Sequence, residues 1–109
     1  MAQFKWEGIY PAMLSPFDEN GNLDFDMFGK NINAQLAGGV HGLIIAGSLG
    51  EASVLTTEEK YELLKYALKV VEGRVPILLN IAENTTADAI RIAQTSEELG
   101  ADGLMLLPP

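Results

Sequence analysis

The chain has 109 residues, 48% of them hydrophobic and 20% charged, which is the balance of one modest globular domain and not of a disordered segment. Its formal charge of −8 makes nucleic acid and anionic membrane surfaces poor partners. It has no cysteine, which excludes disulfides, thiolate zinc sites and a cysteine nucleophile and fits a reducing, cytoplasmic setting.

The opening residues, Met1 to Glu7, hold no apolar run of signal-peptide length, and no stretch approaches the span of a membrane helix. Gly8 to Leu14 reads as a first strand, with Pro11 near its start or on its edge because it has no N–H to give. Ser15 follows, a hydroxyl at the strand's end. Asp18-Glu19-Asn20-Gly21 is a turn; its spacing resembles a calcium loop only faintly, because the glutamate that should close such a loop is missing. Asp24 caps a helix to about Ala37, with Phe25, Phe28, Ile32 and Leu36 on one face and Gly38-Gly39 as its stop.

Gly42 to Ala46 is a second strand, continuously apolar and therefore of the kind buried on both faces. It runs into Gly47-Ser48-Leu49-Gly50-Glu51. Glycines there let a ligand approach the main chain, and bare N–H groups with one hydroxyl form a place for an anion; a tight turn that binds nothing has the same residue types. Thr56 and Glu59 form a capping box that opens a second helix, with Tyr61, Leu64, Leu68 and Val71 facing inward and an end at Gly73. Pro76 to Ala82 is a third strand. Thr85 with Asp88 opens a third helix, Ala89, Ile92, Ala93, Ser96 and Leu99 facing inward and Gly100 ending it. Gly103 to Leu107 is a fourth strand, before Pro108-Pro109.

Strands and helices thus alternate in units of roughly 30 residues, the pattern of a parallel sheet built from right-handed crossovers. Two architectures fit. A doubly wound sheet carries helices on both faces, and as a binding module it would hold a phosphate at Gly47–Gly50; no P-loop lysine supports that. A (β/α)8 TIM barrel carries all helices outside, and eight such units make roughly 250 residues. On the second reading residues 1–109 are the amino-terminal portion of a single barrel domain, strand–helix–strand–helix–strand–helix–strand, and one sheet face is left open for association. A non-catalytic interaction fragment is the third reading.

Tyr10-Pro11-Ala12-Met13-Leu14-Ser15-Pro16-Phe17, then Gly47-Ser48-Leu49-Gly50-Glu51-Ala52, then Leu55-Thr56 with Glu59, resemble in that order the opening third of the dihydrodipicolinate synthase and N-acetylneuraminate lyase family. The resemblance covers Gly8 to Pro109. It implies a TIM barrel, usually tetrameric, in which a lysine forms a Schiff base with pyruvate or another 2-oxo acid for aldol cleavage or condensation, dehydration or deamination, with no cofactor. It implies that Gly47, Ser48 and Leu49 hold the substrate carboxylate, with Ser48 also a proton relay. The family's pattern there is Gly-Thr-Thr-Gly-Glu, so Ser48 matches the first hydroxyl and Leu49 departs at the second. The family's relay tyrosine and Schiff-base lysine fall beyond Pro109. Independently, Lys5 lies in the amino-terminal tail and Lys30, Lys60, Lys65 and Lys69 on predicted helices, so no lysine ends a strand, where an imine-forming amine is needed.

Asn80 and Glu83, at the end of the third strand and in its loop, are candidate contacts to the distal part of a substrate, or else a packed polar residue and a solvated loop carboxylate. His41 stands alone and is a poor metal ligand; no metal is expected. Tyr61 is assigned to the core face of its helix and Tyr66 to the outside.

Overall fold

In the computed structural model, residues 7–46, 55–81 and 85–106 are described. The order is α1 (Phe25–Ala37), β1 (Leu43–Ile45), α2 (Thr57–Val71), β2 (Ile77–Ile81), α3 (Thr86–Leu99) and β3 (Gly103–Leu106). The three strands form a parallel sheet in the order β1-β2-β3, with Leu43 opposite Ile77 and Leu79 opposite Leu104.

Each helix starts where local chemistry supplies an acceptor for its free N–H groups. The Asp24 carboxylate accepts from the Met27 N–H at 3.0 Å. Thr56 and Glu59 make both bonds of the capping box, at 3.1 and 2.9 Å. The Thr85 hydroxyl accepts from the Asp88 N–H at 3.1 Å. The ends are equally local. Gly100 takes φ 110°, and α2 closes on Glu72 at φ 53°. Arg74 then reaches back and donates to the carbonyls of Val70 and Val71, placing a cation on the negative end of the helix. The Asp18 turn is self-contained: its carboxylate accepts from the N–H groups of Asn20 and Asn22.

The core lies between the helices and one face of the sheet. Leu43 and Ile45 of β1 and Ile77, Leu79 and Ile81 of β2 share that face by strand alternation, and they pack with Phe28, Ile32, Leu63, Leu64, Ala67, Val71 and Ile92. Ile44 and Leu78 point the other way, into a hollow shared with Tyr10 and Met105. Consecutive right-handed crossovers in a sheet of sequential order put every helix on the same side, and the single core cluster agrees with that. The doubly wound alternative, which needs helices on both faces, is not this fold.

The expected first strand, Gly8 to Leu14, is corrected. The segment runs parallel to β1 but makes only an isolated bridge, Ala12 to Ile44. Three of its residues turn their peptide groups toward β1. Pro11 has no N–H, and the Ile9 N–H is taken by Nδ1 of His41 at 2.9 Å. Only Met13 is left to donate into the ladder, to the Ile44 carbonyl at 2.8 Å, while the carbonyls of Ile9 and Pro11 accept from His41 and Ile44. His41 is therefore a staple for this segment.

Tyr66 is also corrected. It is half-buried between the helices, its ring 5.2 Å from that of Phe25 and 6.2 Å from that of Phe28. Gly29 makes the approach possible, since a Cβ there would lie 2.9 Å from the Tyr66 hydroxyl.

Gly42 sits under the Tyr10 ring at the entry to β1. A Cβ at this position would meet that ring and lie 3.0 Å from the Pro76 carbonyl, the acceptor for the Leu43 N–H. Gly42→Ala is expected to destabilise the full-length protein by about 1–3 kcal/mol, as overpacking does, read by denaturant unfolding. Unchanged stability would show that Tyr10 moves aside freely.

Candidate functional site

Parallel strands end at one edge, and here that edge collects the chemically interesting residues. β1 ends at Ile45 and Ala46, β2 at Asn80 and Ile81, and β3 at Leu106. The pairing of Ala12 with Ile44 carries Ser15 to the same edge, where it is buried.

Asn80 is the best-defined of the expected site residues. It shares the helix-free face with Leu78 and is 1% exposed. Its Nδ2 donates to the Ala46 carbonyl at 3.2 Å, while its Oδ1 is buried without a partner. A carbonyl only accepts, so this bond fixes which way the amide is turned. The open Oδ1 is an acceptor in a dry place, and such a group costs free energy unless something donates to it. Ala46 is itself unusual: it is buried and holds φ 61°, a left-handed backbone in which glycine is at home and alanine is strained.

Gly47, Ser48, Leu49 and Glu83, the remaining expected site residues, lie outside the described residues. Tyr61 is partly buried on α2, packed against the core. No cluster of three or more His, Asp or Glu that could hold a metal occurs among the described residues. No helix among them is long and apolar enough to cross a membrane.

Two residues carry more than their sequence signal promised. Lys60, one of four helix lysines in the sequence, is buried at 5% exposure in the first turn of α2. Asp102 ties the opposite edge of the sheet together: its carboxylate accepts from the Ile77 N–H and its own N–H donates to the Ile77 carbonyl, both at 2.9 Å. Lys60 falls on the helical repeat of Leu63, Leu64, Ala67 and Val71, a signal its charge obscures, whereas no motif marks Asp102.

The family model described as the dihydrodipicolinate synthetase family matches residues 5–109. The 4-hydroxy-tetrahydrodipicolinate synthase of Bacillus subtilis (strain 168) is 42% identical over 101 residues, covering 93% of this chain and 35% of that protein. Among solved structures, dihydrodipicolinate synthase DapA-2 from Bacillus anthracis matches with a TM-score of 0.93 and 34% identity, over 98% of this chain and 37% of that one. A prophage protein of the dihydrodipicolinic acid synthase family from E. coli K12, solved in complex with pyruvate, matches with a TM-score of 0.87 and 32% identity, over 93% and 34% of the two chains. The chain spans about a third of the length of the curated relatives it matches. A family match over nearly all its residues, joined to a parallel α/β fold that superposes on solved members, leaves one assignment: this chain belongs to the dihydrodipicolinate synthetase family.

Proposed function

We propose that residues 1–109 are the amino-terminal part of a (β/α)8-barrel lyase that forms a Schiff base with pyruvate or another 2-oxo acid. The observation that carries the reading is one of placement. In a member of this family, Gly47-Ser48-Leu49-Gly50-Glu51 follows directly on the carboxyl end of β1, the edge where such barrels do their chemistry, and the buried acceptor of Asn80 stands at the same edge.

On this reading the Ser48 and Leu49 N–H groups hold the substrate carboxylate, with Gly47 allowing the close approach and the Ser48 hydroxyl relaying protons. A lysine from outside residues 1–109 attacks the 2-oxo carbon, water leaves, and the resulting iminium withdraws electrons from the neighbouring carbon. Loss of a proton there gives an enamine that adds to an electrophile, and the reverse course cleaves a carbon–carbon bond. Asn80 and Glu83 meet the distal part of the substrate, and the Asn80 Oδ1 suits a hydroxyl or N–H donor on it. The sequence of steps uses no metal or cofactor. The enzyme is cytoplasmic and a homo-oligomer, a tetramer by its likeness to the family.

The experiment is borohydride reduction of the full-length protein with pyruvate, followed by intact mass. One reduced pyruvate per chain is expected. No adduct with pyruvate or with longer 2-oxo acids would overturn the Schiff-base reading.

A further inference from the structure

The rung after Ile45 opposite Leu79 would set Ala46 opposite Asn80 if β1 continued. It does not continue, because Ala46 turns to φ 61°. That turn takes its carbonyl out of the ladder and leaves it buried, needing a donor. The Asn80 side chain supplies the donor at 3.2 Å, and both residues are 1% exposed, so water does not compete for the bond. An alanine held in the left-handed region persists only where its surroundings over-determine it, and such residues gather at functional sites.

We propose that Asn80 is a positioning residue: its amide holds Ala46 in the left-handed conformation and so sets the direction in which the chain leaves β1. The inference rests on the reading of Gly47–Leu49 as the carboxylate turn. It assigns Asn80 an effect on the near end of the substrate, exerted through the backbone, in addition to any contact its Oδ1 makes at the distal end. One side chain then serves two ends of the site, its donor facing the protein and its acceptor left open.

The test uses the full-length protein and three variants. Asn80→Leu keeps nearly the same volume and removes the donor. Asn80→Asp keeps the shape and turns an acceptor toward the Ala46 carbonyl. Asn80→Leu with Ala46→Gly removes the donor where the left-handed conformation is cheap. Crystal structures without ligand are expected to show Ala46 leaving the left-handed region in both single variants. The KM for pyruvate is expected to rise roughly tenfold in them, with a smaller fall in kcat, and adding Ala46→Gly is expected to recover most of that rise. A purely structural role would lower thermal stability and leave KM in place, and glycine at position 46 would not restore it. If Asn80→Leu does not fold, Asn80→Ala takes its place with the same readouts. Ala46 keeping its backbone angles in the single variants, or an unrescued KM, overturns the proposal. If the unmodified protein captures no 2-oxo acid, the reading of the turn has failed, and the Ala46 backbone in the Asn80 variants still decides whether the amide holds it.

Discussion

Peptide mapping of the reduced pyruvate adduct is expected to find it on one lysine outside residues 1–109, with Lys5, Lys30, Lys60, Lys65 and Lys69 unmodified. An imine-forming amine must be desolvated enough to be neutral and must stand where the strands end, within reach of a bound 2-oxo acid. Lys30 is exposed on α1, and Lys65 and Lys69 are exposed on α2. Lys65 lies 3.5 Å from Glu62, an ion pair open to solvent. Lys60 is the real competitor, because it alone among the described lysines is buried. Its place is the first turn of a helix and not a strand end. Lys60→Met therefore serves as the decisive control: the adduct should persist in full. Loss of the adduct in that variant, with the fold intact, or a reduced pyruvate found on Lys60 itself, would move the reacting amine into this chain and overturn the assignment.

What the sequence made legible was chemistry that acts over a few residues. Asp24, Thr56 with Glu59, and Thr85 each cap the helix they were expected to cap, because a side-chain acceptor three residues before a free N–H needs nothing from the rest of the fold. The alternation of apolar runs gave the parallel order of the sheet for a similar reason. Contacts made across the fold were not legible. The first strand reads correctly as extended, but its ladder is thin because His41, 32 residues away, takes the Ile9 N–H. The buried face of α2 includes Leu63 and Ala67 beside the expected Leu64 and Val71, while the expected Tyr61 and Leu68 are only partly buried. Tyr66 finds its place only through the gap that Gly29 leaves. At the site, the residue types at Gly47–Glu51 and at Asn80 were readable, whereas the left-handed Ala46 was not. Nothing in an alanine announces a conformation that alanine disfavours; among the described residues it is the Asn80 amide that bonds its carbonyl.

The substitution at Leu49 leads to the other large expected effect, on substrate choice. Backbone N–H donors do not depend on side-chain identity, so on the proposed reading Ser48 and Leu49 would keep the means to bind a carboxylate. Against the Gly-Thr-Thr-Gly-Glu pattern, Leu49 lacks one hydroxyl and is larger and apolar. A hydrogen bond to a charged group contributes roughly 1.5–3 kcal/mol, so Leu49→Thr in the full-length enzyme is expected to tighten pyruvate binding at the imine step about tenfold or more. Ser48→Ala removes the remaining hydroxyl and with it the proposed proton relay, and turnover is expected to fall about a hundredfold or more. The two variants move in opposite directions, which a general effect on folding does not produce. A site with less grip on the smallest 2-oxo acid needs other contacts, and the proposed one is the buried, unpartnered Oδ1 of Asn80 with a donor farther along the substrate. We therefore expect the unmodified enzyme to favour a longer 2-oxo acid or a cyclic imine acid, processed by retro-aldol cleavage, dehydration or deamination, over the synthesis for which its 4-hydroxy-tetrahydrodipicolinate synthase relatives are named. The comparison is kcat/KM across a panel of 2-oxo acids of increasing length, with 4-hydroxy-tetrahydrodipicolinate synthesis assayed alongside. Efficient 4-hydroxy-tetrahydrodipicolinate synthesis by the unmodified enzyme would overturn the inference from Leu49. It would leave the proposed carboxylate turn standing, because backbone N–H donors and the Ser48 hydroxyl do not depend on the residue at position 49.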